Sequence, residues 1–145
     1  MEIQRFEHSE ENDFFWSKMG RFFASPKVRD AVGGFMTSDL RYTWWVAFDE
    51  AGQVRGFCAA RRDKKGKRIY LTYAYVLPEH RGQGVYEQLF LARQADVMGW
   101  QGIESLWSVV NPHSEKIFFE HGFIETGRKG QYVTVEKKVE HAEPV

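Results

Sequence analysis

The chain has 145 residues, 43% of them hydrophobic and 28% charged, with equal numbers of acidic and basic side chains and a formal net charge of zero. This is enough chain for one core. The balance excludes a disordered segment and argues against a general polyanion binder. A single cysteine, Cys58, excludes a disulfide framework and a cysteine-rich zinc site.

The opening residues MEIQRFEH alternate weakly and predict a first strand. Ser9 is the expected cap of a following helix, with Asn12 and Asp13 in its first turn and the amphipathic run FFWSKMGRFFA behind them. Pro26 restarts the chain as a second short helix capped by Ser25 and ended by Gly33-Gly34. Three strand-like runs follow: YTWWVAFD (42–49), VRGFCAARR (54–62) and RIYLTYAYVL (68–77). Short links between them predict an antiparallel meander. The basic stretch from Arg61 to Arg68 is read as a solvated hairpin loop rather than a binding patch.

A helix is expected over residues 84–100, with Val85, Leu89, Ala92 and Val97 near one face. IESLWSVV (103–110) reads as a buried strand ended by Asn111-Pro112. HSEKIFFEH is a short helix stopped by Gly122, QYVTVEKKV (131–139) a final alternating strand, and EHAEPV a frayed tail. No repeat or linker interrupts the chain, so residues 1–145 are read as one domain. No apolar stretch suits a membrane span or a signal segment, and the expected location is the cytoplasm.

The chemistry concentrates in VLPEHRGQGVYEQL, where a strand gives way to a helix across Gly82 and Gly84. It is not a dinucleotide fingerprint, because position 87 is Glu, nor a Walker loop, because Gly84 precedes Val85. A helix N-terminus has unpaired N–H groups and a positive dipole end, and glycines allow close approach to its backbone. On these grounds an ordinary strand–helix turn and a phosphate cradle both remain open.

The stretch resembles the acetyl-CoA-binding motif of the GCN5-related N-acetyltransferases (GNAT), Arg/Gln-x-x-Gly-x-Gly/Ala, through Arg81, Gly84 and Tyr86. NPHSEKIFFEHGF resembles a second segment of that family through Asn111, Ser114, Ile117, Gly122 and Phe123. The resemblance spans roughly residues 40–139 and implies a mixed α/β (α+β) fold. Its sheet is mostly antiparallel and flanked by helices, and its fourth and fifth strands splay to form a cleft. It further implies transfer of an acetyl group from acetyl-CoA to a primary amine by direct attack. Backbone groups of Arg81, Gly82, Gln83, Gly84, Val85 and Tyr86 would hold the pyrophosphate. Val76 and Leu77 would grip the pantetheine arm, and Asn111, Ser114 and Phe118 would complete the cofactor site.

Two positions depart from the family pattern: Tyr86 stands where Gly or Ala is usual, and Phe118 where many members carry a proton-donating tyrosine. The fourth strand has no carboxylate to serve as base. Tyr70, Thr72 and Ala74 share one face by strand alternation and are expected to line the cleft, with Tyr70 orienting a water. His113, near the expected thioester, is a candidate proton relay. No His/Asp/Glu spacing suits a metal.

Residues 14–45 would line the acceptor side, where Trp44, Trp45 and Phe35 could recognise a flat substrate or belong to the core. The expected acceptor is a small-molecule or protein amine, and a homodimer is an expected assembly. A second reading keeps the fold but acts on nucleic-acid bases, drawing on Trp44-Trp45, Phe118, the tyrosines and the basic loop; zero net charge disfavours it. A third is a non-catalytic coenzyme A binder.

Overall fold

The computed structural model describes residues 1–140; the tail expected to fray lies almost wholly outside the described residues. The elements run β1 (Glu2–Glu7), α1 (Asp13–Phe23), α2 (Pro26–Val32), β2 (Tyr42–Phe48), β3 (Val54–Arg62) and β4 (Arg68–Val76). After a single 3-10 turn come α3 (Val85–Met98), β5 (Ser105–Val110), α4 (Glu115–Glu120), β6 (Ile124–Lys129) and β7 (Tyr132–Lys138). The seven strands form one sheet in the order β1-β2-β3-β4-β5-β7-β6. Every neighbouring pair is antiparallel except β4 and β5.

Two apolar cores form because strand side chains alternate across the sheet. Trp45, Ala47, Ile69 and Leu71 pack with Val85, Leu89 and Phe90 of α3 and Phe118 of α4 on one face. Trp44, Val46, Phe48 and Phe57 pack with Phe15, Met19 and Phe22 of α1 and Val28 of α2 on the other. The Trp44-Trp45 pair is thus divided between the cores. Both residues are buried, with their indole N–H groups donated to Ser38 Oγ and Asp96 Oδ2.

Three local expectations are corrected. Asn12, not Ser9, caps α1: its side chain accepts the Phe15 N–H at 3.0 Å. Ser9 serves the turn before it, where its carbonyl takes the Trp16 indole N–H. The strand β6, IETGRK, went unread because it carries no apolar alternation; all six residues are exposed, and pairing with β7 alone defines it.

The third correction concerns β4. Its ladder with β3 slips between Phe57 and Ala59, and Tyr73 takes a left-handed backbone with φ 54°. The extra residue of this bulge reverses the alternation. Ala74 and Val76 therefore pack on the same core as Ile69 and Leu71, while Tyr73 and Tyr75 pack on the core of α1 and α2. Tyr70, Thr72 and Ala74 consequently do not share one face.

Candidate active site: a cleft at the parting of two parallel strands

The β4–β5 ladder consists of Arg68 with Ser105, Ile69 with Leu106 and Tyr70 with Trp107, and then the strands part. The carbonyl of Leu71 is taken by the Ser108 hydroxyl at 2.7 Å instead of a backbone donor. Buried Ser108 thus closes the apex of the V with a side chain. Beyond it, the edge of β4 that faces β5 has no strand partner, leaving main-chain groups available to a ligand.

A cavity of about 110 Å³ fills the V. Tyr70 to Ala74 of β4 and Ser108 to Asn111 border it, with Tyr86 and Arg93 of α3, Ser114 and Phe118 completing the wall. A second chamber of about 270 Å³ lies over the glycine loop, lined by Tyr75, Val76, His80, Arg81, Gly82, Gly84, Val85 and His113. Ala74, Tyr86 and Ser114 border both spaces, so the two adjoin at one neck.

The second chamber suits an anion. Gly82 and Gly84 have φ of 76° and 78°, a left-handed backbone that glycine adopts without a steric cost. A Cβ built on either would meet no heavy atom within 4 Å, so the surface of the loop is open. No side chain caps α3, and its first-turn N–H groups keep their partial positive charge. The residues lining this chamber include no carboxylate.

Not every expected contact is present. Leu77 is absent from both linings, and its N–H is spent on the Arg55 carbonyl at 3.0 Å. Gln83 is also absent: its amide is held by Arg55 at 2.6 Å and by the Glu79 carbonyl at 3.3 Å, which turns the side chain outward. Arg81 lines the chamber but donates through Nε to the Val76 carbonyl at 3.0 Å. Asn111 borders the first cavity, and its Oδ1 accepts the N–H groups of His113 and Ser114. Its amide nitrogen is the end left for a ligand.

His113 faces the glycine chamber rather than the V, away from the position expected of a relay at the thioester. Tyr70 borders the V, with its ring centroid 4.3 Å from that of Trp107 and the Arg61 guanidinium 4.9 Å from its own centroid. Of residues 14–45, only Ala31 and Val32 line the V; Phe35 is exposed outside both linings. Phe118 is buried, edge-on to Phe90 and Phe123 at 5.0 Å from each.

Arg93 was missed by the reading of the sequence. It is 1% exposed, and its Nη1 donates to the carbonyls of Ala59 at 3.2 Å and Thr72 at 3.4 Å, which flank the β4 bulge. Its Nε is buried with no partner. The signal was present in the four-residue row Val85, Leu89, Arg93, Val97, which puts a charge in an apolar stripe.

A parallel strand pair that parts beside an uncapped helix N-terminus, over a chamber lined by no carboxylate, has the architecture of an acyl-CoA-dependent transferase cleft. A family model described as an acetyltransferase (GNAT) domain matches residues 41–125, and the chain belongs to the GNAT family. Solved structures share the fold. ElaA of Escherichia coli superposes with a TM-score of 0.73 at 14% identity, covering 94% of this chain and 98% of that one. GCN5 of Tetrahymena gives 0.69 at 14%, with 97% of both chains covered. The PaiA N-acetyltransferase of Thermoplasma acidophilum, in complex with coenzyme A, gives 0.61 at 17%, covering 95% and 99%. No curated protein sequence matches the chain. Among the described residues no helix is long and apolar enough to cross a membrane, and no cluster of His, Cys, Asp and Glu could hold a metal.

Proposed function

We propose that the protein transfers an acetyl group from acetyl-CoA to a primary amine of a small molecule or protein by direct attack. The observation that carries this reading is the adjoining pair of spaces: an open glycine cradle at the start of α3 continues into the V between β4 and β5. In this reading the backbone of Arg81 to Tyr86 receives the pyrophosphate. The free edge of β4 receives the pantetheine arm, and Asn111 donates to that arm through its amide nitrogen. Coenzyme A supplies an activated thioester, so no enzyme nucleophile is required, and buried Cys58 is not one.

The V is lined by neither a carboxylate nor a histidine. That lining supports loss of the amine proton to water, with Tyr70, which borders the V, as the side chain to orient it. Freeing an amine of pKa about 10 at pH 7 costs roughly 4 kcal/mol, so turnover should rise with pH through the neutral range. The base-modifying alternative loses the support of Trp44, Trp45 and Phe118, which are all buried.

The test is a melting curve with acetyl-CoA, followed by a screen of amines for release of free thiol. At a hundredfold excess over Kd the ligand should stabilise the fold by about 2.7 kcal/mol, a rise of several degrees in Tm. An unchanged Tm at saturating acetyl-CoA defeats the reading. If acetyl-CoA binds and no amine in the panel releases thiol, the non-catalytic binder gains instead.

A further inference from the structure

Resting on the acetyl-transfer reading, we infer that Tyr86 is the residue that delivers a proton to the departing thiolate, with Ser114 orienting its hydroxyl and Arg93 balancing the charge. Three placements carry it. Tyr86 and Ser114 stand at the neck shared by the glycine chamber and the V, where a cofactor arm passing from one to the other must run. The Ser114 side chain stands at that neck with Tyr86 and acts to lower the pKa of its hydroxyl. Arg93, buried and hydrogen-bonded to main-chain carbonyls with the Phe90 ring 5.8 Å from its guanidinium, brings a positive charge to the same wall.

A buried guanidinium without a carboxylate is costly unless negative charge arises near it. Here Nη1 is fully occupied by the bulge carbonyls, whereas Nε has no partner at all. The cation therefore acts on the neck through its field. Phe118 borders the V but has no proton to give, and its ring is closed in by Phe90 and Phe123. Tyr86 is the phenol that reaches both spaces.

The proton balance closes without a further reagent. The C–N bond forms as the C–S bond breaks, and the Tyr86 O–H passes its proton to sulfur. The phenolate, in the field of Arg93, then takes back the second proton, shed by the nitrogen once the C–N bond has formed. Burial raises the Tyr86 pKa above the ordinary phenol value, while the Arg93 charge opposes part of that rise. The hydroxyl is thus protonated at neutral pH and able to donate. Tyr70 and Tyr73 of β4 share the V with it, Cys58 of β3 adds its own effect from behind, and His80, Arg81 and His113 line the adjoining chamber.

The test needs no acceptor. Coenzyme A is bound to the wild type and to the Tyr86→Phe, Arg93→Gln and Ser114→Ala variants, with affinity measured by calorimetry and the fold checked by circular dichroism. The bound thiol is then titrated by the ultraviolet absorbance of its thiolate. A donor aimed at sulfur stabilises the thiolate. The thiol should therefore titrate about one unit or more higher in Tyr86→Phe than in the wild type, and higher by a smaller step in Ser114→Ala. Arg93→Gln keeps a donor for the carbonyls and loses the charge; it too should raise the thiol pKa. With any amine found in the screen, kcat of Tyr86→Phe should fall by about 10²-fold or more, with the Kd of coenzyme A little changed.

An unchanged thiol titration in folded, coenzyme A-binding Tyr86→Phe overturns this inference and leaves the acetyl-transfer reading intact. Should Tyr86→Phe not fold, the same result in Ser114→Ala and Arg93→Gln overturns it. Failure of the wild type to bind coenzyme A overturns both.

Discussion

The two sides of the cleft are built from different materials. The donor side is main chain: two glycines with positive φ, an uncapped helix start and an unpaired strand edge. The proposed acceptor side is side chain: Tyr70 tilted against Trp107 at 4.3 Å, and Tyr73 lying parallel to Trp44 at 5.7 Å over the α1–α2 core. A main-chain site is damaged by adding atoms, and a side-chain site by removing them. The contrast explains why the donor can be inferred from a short motif and the acceptor cannot.

Substitutions should separate the two sides. The largest effect is expected from Trp44→Ala, which empties the fully buried floor under Tyr73. Denaturant unfolding should show a loss of about 3–5 kcal/mol, since truncating a buried aromatic leaves a cavity as well as lost burial. Gly84→Glu comes next. Binding of coenzyme A, read by calorimetry, should weaken by about 100-fold or more because a carboxylate would stand where phosphate is expected. Gly84→Ala supplies the control: with nothing within 4 Å of the new Cβ, it should show only the left-handed backbone cost of about 1–2 kcal/mol. Equal loss of affinity in both variants would mean that backbone strain, not the cradle, is being measured.

Ser108→Ala probes the apex, where the Leu71 carbonyl would lose its partner. A stability loss of about 1–3 kcal/mol is expected for a buried acceptor left unsatisfied. The smallest effect should be Tyr70→Ala, measured by steady-state kinetics with an amine from the screen. The acceptor KM should rise several-fold while the Kd of coenzyme A stays unchanged; an equal change in both would erase the proposed division of the cleft.

Much of the fold is legible in the sequence. The meander, α3 and α4 follow from local signals, namely turn residues between β-rich runs, a proline-led helix and a glycine stop. The glycine pair and Asn111 point to the cofactor side because a backbone cradle leaves its mark as residue spacing. The misreadings have two causes, a bulge and the claims of a distant arginine. Strand alternation put Tyr70, Thr72 and Ala74 together, but a one-residue bulge inverted the pattern from Tyr73 onward. Leu77 and Gln83 lie in the motif's vicinity, yet Arg55 of β3 claims the N–H of one and the amide of the other.

The sequence by itself determined the order of every element but β6, the family resemblance and the glycine pair, since these rest on local propensity and on the absence of side chains at two positions. Only the tertiary structure decided that Trp44 and Trp45 belong to opposite cores. It also turned His113 toward the glycine chamber and put Arg93 without a carboxylate behind the β4 bulge. These outcomes depend on which strands pair and where they part. That is fixed by contacts between residues far apart in the chain, which no short window of sequence contains.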